Sequence, residues 1–280
     1  MYELQAAVYR RTEPWGQFAE HGASGVAREM GRALGQQTET ALQGLDPDQV
    51  GMNMVVSTML DLPFTSGWIT WQEIASEIAK HTRSCPQNFV SAYECSSWGF
   101  ILRHAKSRRL WNPLVVINII DLNIFDFSYW RENPNWGKSG FGIATIVLRA
   151  GQDDMIHCQV AKSANGFGEF CLDLRNYMAK DQEILVTPPF FPSNISALYD
   201  RLLPPERLLP NRVAEYGHSF GCDPWIALIE QRLAGLDKPG ERYLATSVSL
   251  NGYWALAELQ MAAQGVFLLQ DTLPAPMVTS

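Results

Sequence analysis

Apolar positions recur at helical spacing over residues 24–44 (SGVAREMGRALGQQTETALQG), and the pattern stops at Gly44, a residue suited to a helix C-cap. A polar LDPDQ connection follows, then GMNMVVSTML over residues 51–60, which reads as a short strand. Residues 70–82 (TWQEIASEIAKHT) give an amphipathic helix. Beyond Pro86 the pattern predicts a buried strand over 88–95. A helix is expected over 96–110, whose basic end suits the negative pole of the helix dipole. The continuous apolar runs 113–122 and 140–151 predict two more buried strands.

The second stretch parses in a similar way. MIHCQVAKSANG and EFCLDL read as strands around a turn. Residues 194–203 predict a helix stopped by Pro204 and Pro205. The glycine-flanked segment 217–224 reads as a loop, followed by a helix over 225–235. YLATSVSL then runs into Asn251-Gly252, a type I′ turn signal, and YWALAELQMA returns as the partner strand. The last dozen residues read as a loose tail. Helices alternating with apolar strands imply an α/β protein. Its two unequal halves are residues 1–151 and 152–280.

Composition narrows the function classes. The chain has 280 residues, 46% of them hydrophobic, enough for a sizeable core. Only 18% are charged, and the net charge of −7 leaves no basic stripe for nucleic acid. No secretory leader pattern opens the chain. Its longest apolar region, 114–125, contains Asn118, Asp121 and Asn123, so no membrane span is expected and a cytoplasmic location is the default. Five cysteines, at 85, 95, 158, 171 and 222, show neither CxxC nor zinc-type spacing. They read as free thiols in a reducing compartment, with no metal site.

Two residues carry candidate chemistry. Cys95 falls where a buried strand meets a helix. There the unpaired N–H groups and the dipole favour thiolate over thiol, and the same N–H groups can hold an oxyanion. His218 lies in Gly217-His218-Ser219-Phe220-Gly221-Cys222-Asp223, a loop whose glycines let an imidazole approach another group closely. It reads either as a proton acceptor for a thiol or as an ordinary turn histidine.

The run SAYECSSWGFILRHAKSRRLWNPLVVINIID, followed by GFGIATIVLRAG, resembles the nucleophile region of β-ketoacyl-acyl-carrier-protein synthase III and its relatives. In that family a cysteine opens a central helix and an FGDGAGAVVL-like strand comes later. Cys95 falls at the nucleophile position. AEYGHSFGCDPWIALIEQRL is similar to the family's YGNTSSASIPLAL segment, with His218 where synthase III has Asn and where thiolases and synthases I and II carry a GH motif. LDKPGERYLATSVSLNGYWALAE is similar to the closing KPGDRVLLVGFGAGLTWGA hairpin, its Gly-Ala-Gly replaced by about Ser249-Leu250-Asn251. The resemblance covers most of the chain beyond residue 24. It implies a thiolase-like fold of two similar halves in five αβαβα layers. It also implies catalytic Cys95 and His218, backbone oxyanion donors at Ser96, Asn251 and Gly252, and pocket residues Phe191, Asn194 and Cys222.

The departures from the family shape the expected activity. The second pocket histidine of the HQAN motif is replaced by Phe191 in Phe191-Pro192-Ser193-Asn194, and the N-terminal strand is missing or reduced. The resemblance therefore implies an acyltransferase of specialised metabolism. Cys95 would be loaded from acyl-CoA or an acyl carrier protein and would pass the acyl group to a nucleophile without decarboxylation. No cofactor is needed, because the phosphopantetheine-linked acyl group is substrate. The alternatives are a non-catalytic partner subunit of a heterodimeric condensing enzyme and a decarboxylative synthase. A homodimer or a heterodimer with a paralogue is expected. Arg103, Lys106, Arg108 and Arg109 could meet an acidic carrier protein, and the aromatic stretch 125–136 could wall either an acyl pocket or a subunit interface.

Overall fold

The computed structural model describes residues 1–12, 22–110, 113–151 and 153–270. The expected loose tail lies almost entirely outside them. The strands are β1 (Tyr2–Thr12), β2 (Val50–Val56), β3 (Asn88–Val90), β4 (Leu114–Asp121), β5 (Glu132–Asn133), β6 (Gly137–Lys138), β7 (Phe141–Arg149), β8 (Ile156–Val160), β9 (Leu185–Thr187), β10 (Arg242–Val248) and β11 (Tyr253–Gln270). The helices are α1 (Gly22–Ala41), α2 (Asp61–Thr65), α3 (Trp71–Ile78), α4 (Ser97–Arg108), α5 (Ser128–Arg131), α6 (Gly166–Met178), α7 (Ser193–Leu202), α8 (Val213–Tyr216) and α9 (Asp223–Leu233).

The first half forms the strand order β3-β2-β4-β7-β1 and the second continues it as β11-β10-β9, with β8 also on β11. The junction is the parallel pairing of β1 with the far end of β11, from Tyr2 opposite Leu259 to Arg10 opposite Gln270. β4 and β7 are buried along almost their whole lengths, as apolar-rich strands covered on both faces should be.

α4 and α9 lie between the two halves, where they share one apolar cluster with inward residues of β1, β4, β7, β10 and β11. The rings of Trp98 and Trp225, one from each helix, meet edge to face at 5.1 Å. These two helices form the central layer of the thiolase-like αβαβα arrangement. α1 and α3 cover the outer face of the first half, and α6 and α7 that of the second. At roughly 1.5–3 kcal/mol per fully buried large side chain, this doubly covered layer is the main source of cohesion between the halves.

The structure corrects several sequence expectations. The N-terminal strand is neither missing nor reduced: β1 is an 11-residue strand, almost wholly buried, between β7 and β11. Its polar residues obscure it. Gln5 sits at a register shift shared by both neighbours, and Arg10 Nε donates to Gln270 Oε1 at 2.8 Å. EFCLDL is helical, part of α6, where Phe170, Cys171 and Leu174 face inward at spacings of one, three and four residues. The strand expected over 88–95 ends at Val90, leaving Cys95 in a separate turn. The hairpin turn is not type I′, because Gly252 has φ +76° but Asn251 has no positive φ. Ser249 O accepts from Gly252 N, and Tyr253 O accepts from Ser249 N, as in a type I turn closed by a glycine bulge.

Candidate active site

Cys95 is presented by a sharp elbow. After β3 the chain reverses through Tyr93 (φ 70°) and Glu94 (φ 48°), two consecutive side-chain-bearing residues in left-handed conformation, and then enters the 3-10 turn Glu94–Ser96 and α4. Each such residue costs about 1–2 kcal/mol, so the surroundings must hold it. Ser97 Oγ donates to the carbonyls of Ala92 and Glu94, and the Tyr93 ring stacks on Phe100 at 3.9 Å. Ser96 Oγ reaches across to the second half, donating to Tyr253 O at 3.1 Å. The elbow is therefore tied to the closing hairpin.

His218 reaches the thiol from the second half. Its N–H donates to Lys138 O at 2.9 Å and its carbonyl accepts from Gly140 N at 2.8 Å, which fastens the loop to the segment between β6 and β7. Gly217 has φ +73°, and a Cβ there would lie 2.8 Å from main-chain atoms of residues 138–140. Only glycine satisfies both conditions without a shift.

Cys95 Sγ lies 4.0 Å from His218 Nε2. His218 Nδ1 is 2.7 Å from Asp223 Oδ2 at the start of α9. Asp223 also accepts from the N–H groups of Ser219 (2.7 Å) and Phe190 (2.9 Å). With Nδ1 donating to this carboxylate, Nε2 keeps its lone pair toward the sulfur. Cys95, His218 and Asp223 are thus brought into one linked line of side chains, although 123 residues separate the first two, and the arrangement suits a thiol, a proton acceptor and a carboxylate that orients it. The sequence reading placed Asp223 in the His218 segment but gave it no role.

A second buried carboxyl underpins the arrangement. Asp121, at the end of β4, accepts from Thr58 N (2.7 Å) and Gly221 N (3.1 Å), joining the loop after β2 to the loop that carries His218. Burial pushes its carboxyl up to about 6, against the opposing pull of these hydrogen bonds.

Burial also drives the Cys95 thiol well above its ordinary value, and the nearby charges of Glu94, Asp121 and Asp223 add to the effect. The expectation that the helix terminus favours thiolate therefore meets an opposing effect: desolvation beside three carboxyls favours the neutral thiol. It is not sealed off, because it borders a cavity of about 360 Å³. Six aromatic residues stand in its walls: Tyr129, Trp130 and Trp136 from the 125–136 stretch, with Phe167, Phe191 and Phe220. That stretch therefore walls a pocket.

The remaining expected residues divide. Phe191 lines the cavity and packs on His218, with ring centroids 4.8 Å apart. Asn194 is exposed at the start of α7, and Ile195 borders the cavity in its place. Cys222 is fully buried in the central apolar cluster, away from the lining. The three expected oxyanion donors are committed elsewhere. Ser96 N donates to Tyr93 O (3.1 Å), Gly252 N to Ser249 O (3.1 Å) and Asn251 N to Glu94 Oε2 (3.3 Å). Of the basic side chains on α4, Arg103 lies over the Phe100 ring at 4.5 Å and Lys106 donates to Asp154 O.

Among the described residues no cluster of His, Cys, Asp and Glu suits a metal ion, and no helix is long and apolar enough to cross a membrane.

No family model matches the chain, and no curated protein matches it. Solved structures do. The acyltransferase ChlB3 is 14% identical, with a TM-score of 0.68 over 92% of this chain and 96% of its own. The 3-oxoacyl-[acyl-carrier-protein] synthase III of Aquifex aeolicus is 15% identical, with a TM-score of 0.67 over 92% and 99%. AbyA1, a tetronic acid condensing enzyme, is 14% identical, with a TM-score of 0.60 over 92% and 98%. The chain shares the thiolase-like fold of these condensing enzymes along nearly its full described length.

Proposed function

We propose that this chain is a cysteine acyltransferase of the synthase III-like kind, accepting an acyl group from acyl-CoA or an acyl carrier protein onto Cys95. The observation that carries the reading is the linked set Cys95, His218 and Asp223, with Sγ 4.0 Å from Nε2 and Nδ1 held at 2.7 Å. In loading, His218 takes the thiol proton as Sγ attacks the thioester carbonyl, and returns it to the donor sulfur as that C–S bond breaks and the CoA or carrier thiol leaves. This removes the need for a preformed thiolate in a site that disfavours one. The Cys95 N–H, at the start of its helical turn, donates to the oxyanion. In the second half-reaction His218 receives a proton from the acceptor and returns it to the departing sulfur.

Transfer without decarboxylation is favoured by Phe191. An apolar ring on His218 offers no hydrogen bond to the carbanion that loss of CO₂ creates. That an acyltransferase and a tetronic acid condensing enzyme share the fold supports a place in specialised metabolism. A cytoplasmic dimer, with itself or with a paralogue, completes the proposal.

Incubation with a panel of acyl-CoAs, followed by intact mass and peptide mapping, tests the reading. A single acyl adduct on the peptide holding Cys95, lost in C95A, is expected. An adduct that survives in C95A contradicts it, and activity that arises only with a paralogue favours the partner-subunit alternative.

A further inference from the structure

The acyltransferase reading leaves the acceptor open, and the cavity narrows it. Among the described residues that line it, Glu94 is the only acidic side chain, and there is neither lysine nor arginine. All 22 lysines and arginines of the chain lie in described residues, and none forms an ion pair with Glu94. The carboxylate accepts from Asn251 through both backbone N–H and side-chain amide, two neutral donors that hold it without neutralising it. A carboxylate offers about four acceptor sites, so it retains capacity for a further donor.

Placement of this charge is costly. Glu94 stands one residue before the nucleophile in left-handed conformation (φ 48°), preceded by another such residue, Tyr93. Strain of this kind persists where the surroundings enforce it, and at functional sites it aims a group. Tyr129 and Trp130 line the same cavity and are themselves in edge contact at 5.0 Å. A carboxylate beside electron-rich aromatic faces attracts a cation through both charge and ring quadrupole. It repels an anionic co-substrate such as a malonyl group, for which the walls offer no cationic partner.

We propose that Glu94 selects the acceptor, and that the acceptor is an organic primary amine entering as its ammonium form. This rests on the acyltransferase reading. The reaction is R–CO–S–Cys95 + R′–NH₃⁺ → R–CO–NH–R′ + HS–Cys95 + H⁺. The ammonium docks on Glu94 and releases one proton to water. The free nitrogen attacks the carbonyl, forming the C–N bond. The C–S bond breaks with its electron pair on Sγ, and His218 carries the second nitrogen proton to the sulfur.

The test uses two nitrogen nucleophiles of one shape. At neutral pH 2-phenylethylamine is a cation, whereas O-benzylhydroxylamine is uncharged. Cys95 is first loaded with whichever of acetyl-, octanoyl- and benzoyl-CoA gives the adduct, and its discharge is followed by mass. In E94Q, discharge by 2-phenylethylamine should fall about 5- to 10-fold through a raised KM, the scale of one partly shielded ion pair. Discharge by O-benzylhydroxylamine should change less than about 2-fold on the same scale. N251A loosens the tether but keeps the charge, so it should preserve the preference for the cation. Equal losses for both nucleophiles in E94Q, or loss of the preference in N251A alone, would overturn the proposal while leaving acyl transfer intact. Failure of Cys95 to load at all would overturn both readings together.

Discussion

The ring of Phe191 lies against the imidazole of His218, centroids 4.8 Å apart, at the position where the resemblance calls for a second histidine. An apolar ring there offers no hydrogen-bond donor and covers one side of the imidazole. A carbanion formed by decarboxylation would meet carbon instead of N–H. Incubated with malonyl-CoA, the protein should release no CO₂ above background. Enzyme-dependent release, lost in C95A, would show that other groups stabilise the carbanion.

Asp223 orients His218 and also closes two backbone donors, Ser219 N and Phe190 N. Asp223→Asn keeps the shape but presents an amide where a carboxylate stabilised the protonated imidazole. Cys95 acylation should slow by about 100-fold or more, the scale of general-base contributions. Asp223→Ala should in addition lose roughly 1–3 kcal/mol of stability from unsatisfied buried donors. Acylation rates by stopped-time mass spectrometry and thermal melts separate the two effects.

Gly217 combines a positive φ with close main-chain approach. Gly217→Ala should therefore destabilise by more than about 1 kcal/mol and draw His218 off its contact with Cys95. The melt and the acylation rate should fall together. A variant with wild-type melting and wild-type acylation would show that the loop has another way to seat the imidazole.

Asp121 makes stability depend on pH. Its carboxyl is held at about 6 in the fold against 3.8 as the reference value. Below the unfolded value both states are protonated and the contribution is fully present. Between these values the unfolded chain ionises first, so the contribution is lost as pH rises, by up to roughly 3 kcal/mol. Asp121→Asn removes this titration. The melting temperature of the variant minus that of the wild type should therefore climb from pH ~4 to ~6 and then level off, the span set by the two titrations. A flat difference would show that the fold does not raise the Asp121 carboxyl above its unfolded value.

Much of this was legible in the residues. Cys95 and His218 drew attention because a thiol ahead of a helix and a glycine-flanked histidine suit such chemistry, and the fold places their side chains 4.0 Å apart. β4 and β7 stand out because strands buried on both faces need near-continuous apolar runs, broken here only by a few polar residues. What was missed follows from long-range pairing. β1 carries Glu3, Gln5, Arg10 and Arg11, and only its neighbours β7 and β11 make it a central strand. α6 has too few inward residues to separate a helical from an alternating pattern over six positions. Asp223 resembles any acidic residue opening a helix, and its place beside Nδ1 depends on the return of the loop from Gly217 to Phe220. The suppressed ionisation of the thiol was hidden too, because it comes first from burial in the fold, and Asp121, which adds to it, lies 26 positions on and reaches the site only through the sheet.

The central claim is that an imidazole, and not a standing thiolate, drives the chemistry of Cys95. The most direct measurement is the rate of Cys95 acylation as a function of pH in the wild type and in His218→Ala. The wild type should acylate readily at neutral pH. The variant should be slower by about 100-fold or more there and should recover only toward alkaline pH, as the buried thiol itself ionises. Equal rates and equal pH profiles for the two proteins would contradict the account.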